Sequence, residues 1–182
     1  MRIRLLITLI GLLCGIVTSP AQAADITGAF GYSLGKVYLM KQPYVPPFVE
    51  ADLTQLERNT LFDSYTVFLT WGTKRAYEIR ASSKPIDEWL SAMNTAKELI
   101  QTIEEKYGKS SRGMEVVKSS PQNSEFTTFW TIKQKHSSLR LEVIRGAAKK
   151  WFITICYNSP ELAQESAEEQ WRAIQAGKKK GL

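Results

Sequence analysis

Between residues 65 and 81 the chain alternates. Tyr65, Val67, Leu69 and Trp71 take every second position against Thr66, Phe68 and Thr70, the two-residue period of a strand. Gly72-Thr73-Lys74 interrupts the run with turn residues. Ala76 to Ala81 then resumes it with Tyr77 and Ile79 on one face, which predicts a hairpin. Three more strands are predicted over Phe126 to Lys133, Leu139 to Arg145 and Lys150 to Tyr157. A Lys/His/Ser stretch and Gly146-Ala147-Ala148 join them into a meander.

Elsewhere the apolar spacing lengthens to three and four. Ile86, Trp89, Leu90, Met93, Ala96, Ile100, Ile103 and Tyr107 predict a helix that Ser83 and Pro85 open and Gly108 stops. Asp87 and Glu88 fall in its predicted first turn and Lys106 in its last, the polarity the helix dipole favours. A second helix opens at Ser159-Pro160-Glu161 and ends near Gly177. Its apolar face carries Ala163, Ala167, Trp171 and Ile174, which leaves Glu165, Glu168 and Glu169 toward water.

The order hairpin, helix, strands, helix predicts an α+β fold: an antiparallel sheet covered on one face by two helices, compatible with two ββα-like halves. Pro85 and Pro160, each opening a helix, are a faint echo between those halves. The tryptophans Trp89, Trp130, Trp151 and Trp171 fall on apolar faces and read as core. Gln42 to Pro47, with three prolines, cannot pair as a central strand and reads as a surface connection.

The first two dozen residues have a different pattern. Arg2 and Arg4 precede an apolar stretch from Leu5 through Val17 in which Thr8 is the one polar residue, and Pro20-Ala21-Gln22-Ala23-Ala24 follows with small residues where a signal peptidase inspects. Residues 1–23 therefore read as a cleaved signal peptide, with cleavage before Ala24 and a periplasmic or secreted destination. Leu13 before Cys14 does not fit a lipidation site.

With 182 residues, 43% hydrophobic and 23% charged, the chain has apolar material for one packed domain, assigned to 24–182 with a short basic tail over 177–182. Removing the leader removes Cys14 and lowers the net charge from +6 to +4. Cys156 is then the only thiol, so no internal disulfide forms. Inside Trp151-Phe152-Ile153-Thr154-Ile155-Cys156-Tyr157 it reads as a small buried strand residue.

The sharpest motif is Gly31-Tyr32-Ser33-Leu34-Gly35, which matches the G-x-S-x-G nucleophile elbow of serine hydrolases. Ser33 as nucleophile, the lone His136 as base, and Asp63 or Asp87 behind it would complete a triad in chain order. Three features oppose this. Too few mature residues precede the motif to build a sheet, and Lys36 to Met40 alternates like a strand where a helix should follow. His136 also stands among lysines that disfavour an imidazolium. The same glycines fit a strand start or bulge in which Phe30 and Leu34 anchor the N-terminus. One histidine and one mature cysteine do not furnish an ordinary zinc site, and neither calcium-loop nor Walker motifs occur, so no metal or cofactor is expected. Glu78, Glu125 and Glu142 lie on or beside predicted strands, with nothing to single them out as a catalytic pair.

Charge is unevenly placed. Ala24 to Val117 carries eleven basic against twelve acidic residues, whereas Lys118 to Lys150 carries seven against two. Lys133, Lys135, Arg140, Arg145, Lys149 and Lys150 fall on adjacent meander strands and turns, from which they could converge into a patch for an anionic partner. Anionic lipid, lipopolysaccharide and an acidic protein surface are the expected partner classes; export makes nucleic acid a poor one. The sequence thus predicts an exported binding protein without a catalytic centre, with the Ser33/His136 hydrolase as the alternative.

Overall fold

A computed structural model describes residues 23–42, 48–119, 125–146 and 149–179. Residues 1–22 of the predicted 1–23 leader, most of the proline connection and the last three residues of the basic tail lie outside the described residues. The fold is α+β. Among the described residues the strands are β1 (Gly28–Ala29), β2 (Tyr32–Ser33), β3 (Val49–Glu50), β4 (Phe62–Leu69), β5 (Ala76–Ser83), β6 (Arg112–Ser119), β7 (Glu125–Lys133), β8 (Ser138–Arg145) and β9 (Trp151–Asn158). The helices are α1 (Trp89–Tyr107) and α2 (Pro160–Lys179). One antiparallel sheet has the order β3-β4-β5-β9-β8-β7-β6, with six full strands and the two-residue β3 at its edge; β1 and β2 pair separately.

The hairpins β4–β5 and β8–β9 meet antiparallel along the β5–β9 seam, where Ile79 faces Tyr157 and Arg80 faces Cys156. Each hairpin is followed by a helix that packs against the other hairpin's strands: α1 lies on β8 and β9, α2 against β5. Along β9 the odd positions Trp151, Ile153, Ile155 and Tyr157 are all buried, and the Trp89 ring meets Trp151 at 4.4 Å between centroids. That face carries the core, closed by Ala92, Ala96, Ile103 and Tyr107 of α1 and by Val67, Leu69, Ile79, Leu139, Leu141 and Val143 of the sheet.

The tight hairpin at Gly28 to Ser33 explains the early glycines. Phe30 and Gly31 both take positive φ (53° and 82°), as a type I′ turn requires, and a Cβ on Gly31 would stand 2.2 Å from the Gln55 carbonyl oxygen. The turn delivers the Phe30 ring onto Phe62, Tyr65 and Tyr157 at 5.3 to 6.1 Å, anchoring the N-terminal segment on the core.

Several expectations change. Ile86 bridges Trp151 in extended pairing, so α1 starts only after Glu88, and Asp87 and Glu88 precede its first turn. Leu90 is exposed on α1. The strand β6 was not predicted. At the β4–β5 bulge Tyr77 stacks on Phe68 instead of following Ile79 into the core. The largest correction concerns α2, which turns its predicted core face outward: Trp171 is 62% and Ile174 57% exposed, and Ala167 is exposed too. Its inward side is polar. Ser166 is buried and accepts from Trp71 N–H (3.2 Å), Glu165 pairs with Arg75 (2.5 Å), and Glu169 accepts from Gly72 N–H (2.6 Å). A Cβ on Gly72 would come within 2.8 Å of that carboxylate, so a side chain there would push the acid aside.

Candidate binding face

Opposite the core face, side chains at alternate strand positions form a polar grid across β5, β9 and β8. Glu78 faces Asn158, which faces Ser138; Arg80 faces Cys156, which faces Arg140; Ser82 faces Thr154, which faces Glu142. The period of two puts all nine on one side of the sheet. Arg80 bonds Glu78 at 2.5 Å, Arg140 bonds Glu142 at 2.7 Å, and the Ser82 and Thr154 hydroxyls meet at 2.9 Å. Beside the grid, the Arg80 guanidinium stands 5.2 Å from the centre of the Phe68 ring.

Depth separates the members. Cys156 and Thr154 are 3% and 7% exposed, whereas the side chains of Arg80 and Arg140 are 42% and 47% exposed above them. Burial pushes the Cys156 thiol up to about 11, with Glu78 adding to it, so the thiol is neutral and unreactive at ordinary pH. Burial also raises the Glu142 carboxyl against the pull of Arg140 and Arg80. For Arg80 burial works against the charge, but Glu78 and Cys156 outweigh it and the guanidinium is held more firmly protonated. Among the described residues, Arg80 Nε and Asn158 Oδ1 are buried without a hydrogen-bond partner. Two guanidinium-bearing positions one strand apart on either side of β9 are about 10 Å apart in the sheet, a span suited to holding one anionic group between them.

The six predicted cations do not form one patch. Lys133 and Lys135 sit at the β7–β8 turn with Arg140 a short way up β8, while Arg145, Lys149 and Lys150 gather at the other end, at the β8–β9 turn. The length of β8, about 24 Å, separates the two ends. Lys150 is paired with Asp87, and the Arg145 guanidinium lies 5.6 Å from the Trp151 ring. Only Arg140 and Lys133 belong to the polar grid, Lys133 being opposite Ser138 at its margin.

Ser33 and His136 have separate surroundings. The Ser33 backbone N–H donates to Tyr38 Oη (2.8 Å), and the chain beyond Gly35 continues into bridges at Val37 and Met40 rather than a helix, so the strand–turn–helix context of a nucleophile elbow does not form. His136 Nδ1 meets Glu161 Oε1 at 2.9 Å, both side chains largely exposed. This pair rims a cleft of about 540 Å³ between the N-terminal segment, the β7–β8 turn and the start of α2, floored by Ile26, Leu34 and Leu162. Ser33 does not line it.

Reading along the chain misses Glu78 and Arg80 as partners of Arg140. A usable signal was present: Glu78-Ile79-Arg80 and Arg140-Leu141-Glu142 each place opposite charges two apart on an alternating strand, hence on one face. No described helix is long and apolar enough to cross a membrane, and no three described metal-ligating side chains converge. No family model, curated protein or solved structure matches the chain.

Proposed function

We propose that this is an exported binding protein that recognises an anionic group through the polar face of its sheet and uses no catalytic centre. The observation that carries the reading is the arrangement of Arg80 and Arg140 on either side of Cys156, each oriented by its own glutamate. A guanidinium has five N–H donors, more than one carboxylate occupies, and a paired arginine is already immobilised, so less side-chain entropy is lost on binding. The buried, neutral thiol between them contributes shape rather than chemistry.

The surroundings of Ala24 support export. Ala24 N–H donates to Lys106 O (3.0 Å) at the carbonyl end of α1, and Gln134 then holds Ala24 O and Ile26 N–H. An ammonium group created by cleavage before Ala24 would sit at the negative end of the α1 dipole, where positive charge is favoured. Recovery of the protein from the periplasm or medium with Ala24 as its first residue is the expected result.

The binding reading is tested by titrating the delipidated, phosphorylated core oligosaccharide of lipopolysaccharide into the protein and into an Arg80→Ala/Arg140→Ala double variant. The expected outcome is binding that weakens as salt rises and falls about tenfold or more in the double variant. Equal binding by both proteins, or labelling of Ser33 by a fluorophosphonate, would overturn the reading.

A further inference from the structure

The hydrogen bonds and ion pairs that tie α2 to the body, among the described residues, end at Glu169. Beyond it, ten more residues continue to Lys179, about 15 Å of helix. This end exposes Trp171 and Ile174, spaced three apart and continuous with exposed Ala167 one turn earlier. From Gln170 to Leu182 the sequence has no Asp or Glu and carries Arg172, Lys178, Lys179 and Lys180. The acidic residues of α2, Glu161, Glu165, Glu168 and Glu169, all lie in the anchored half. Apolar anchors and positive charge are thus concentrated on the same C-terminal half of the helix.

We infer that the C-terminal half of α2 docks the protein on an anionic lipid bilayer, with Trp171 and Ile174 entering the interfacial region and the basic run meeting the headgroups. Tryptophan prefers the membrane–water boundary, where its ring is apolar and its N–H stays wet, and each basic residue near an anionic leaflet adds attraction. A folded protein partner fits less well. One tryptophan, one isoleucine and an alanine cover far less than the ~800 Å² per side that a stable protein interface needs. This contact is separate from the sheet face and does not depend on it.

Flotation of the purified mature chain, Ala24 to Leu182, with vesicles tests the inference. With vesicles of about one quarter phosphatidylglycerol in phosphatidylcholine the protein should co-float, and with phosphatidylcholine alone it should stay behind. Raising salt from about 50 mM to about 300 mM should reduce the bound fraction several-fold. Trp171→Ala/Ile174→Ala should lower vesicle affinity about fivefold or more, and Lys178→Gln/Lys179→Gln/Lys180→Gln should do likewise. Unchanged melting curves would show both variants folded. Arg80→Ala/Arg140→Ala should float like the parent, which separates this contact from the sheet-face reading. Equal flotation with neutral vesicles overturns the inference, as does full anionic binding by both helix variants. So does a stable dimer in solution that the Trp171→Ala/Ile174→Ala change dissociates, because that would make a second copy the occupant.

Discussion

The two helices are nearly equal in length, 19 residues in α1 and 20 in α2, yet they are attached by opposite kinds of contact. α1 buries Ala92, Ala96, Ile103 and Tyr107 against the central strands, the small alanines letting its backbone lie close to the sheet. α2 is held at its first half by Ser166, Glu165 and Glu169, and carries its largest apolar side chains away from the body. Burial of apolar area stabilises a fold, whereas surface ion pairs contribute little. By this comparison α1 is part of the cooperative core and α2 is a lightly fastened appendage whose exposed face is available for contact.

The comparison breaks most clearly under truncation of one isoleucine in each helix. Ile103→Ala should cost about 3 kcal/mol, because it leaves a cavity against the sheet. Ile174→Ala should stay within about 0.5 kcal/mol, since its side chain is already in water. Urea unfolding of the two variants decides the matter, and comparable losses would mean that α2 is as integral as α1.

The same contrast explains what could be read from the sequence. In α1 the apolar positions of the three-and-four pattern from Trp89 onward largely meet the sheet, so periodicity located the helix. Its start was displaced because Ile86 fits the helical spacing but is spent on an extended bridge to Trp151. In α2 the pattern Ala163, Ala167, Trp171, Ile174 was equally regular, but periodicity reports that a face is apolar and says nothing about whether that face is covered. The polar side was chosen instead because Gly72 and Arg75 at the β4–β5 turn offer a backbone N–H and a guanidinium that carboxylates can reach, a long-range match invisible to local pattern. β6 was missed because Arg112 to Ser119 mixes charges with Met114, Val116 and Val117 without clean alternation. In the binding face, Arg140 was legible as a strand cation. Its relation to Arg80 was not, because the β5–β9–β8 pairing joins residues 60 positions apart.

A smaller effect sharpens the role of the seam on which both helices depend. Cys156 lies at its centre, with a thiol pushed up to about 11 by burial from an ordinary value of about 9. An unfolded chain releases this proton first, so the folded state is favoured below about pH 9 and loses that advantage as pH rises toward 11. The loss attributable to the thiol should reach about 1 kcal/mol near pH 10. The difference in unfolding free energy between the parent and Cys156→Ala should therefore shrink across that window and stay constant from pH 6 to about pH 8. The subtraction is needed because burial also raises the Tyr157 hydroxyl, which titrates on the same alkaline side in both proteins. A constant difference through pH 10 would mean that the thiol is not sealed beneath Arg80 and Arg140.

The smallest expected effect is at the fastening of α2 itself. The Arg75–Glu165 pair is about one third exposed on each side, so Arg75→Ala should lower global stability by only about 0.5 kcal/mol, and less at high salt. Its local consequence should be larger than its global one. Arg75 also donates from Nε to Thr73 Oγ1, at 3.2 Å, and so stiffens the turn whose Gly72 N–H donates to Glu169. Losing it loosens two of the three polar contacts between the β4–β5 turn and the first half of α2. Hydrogen exchange should then quicken for the α2 amides over residues 163–170, while the α1 amides that open only with the sheet keep their rates. If α1 and α2 quicken together, the two helices belong to one cooperative unit and the polar attachment of α2 carries as much as the apolar burial of α1. Selective quickening would establish that the polar residues at the β4–β5 turn decide only where α2 rests, and that the sheet and α1 stand without it.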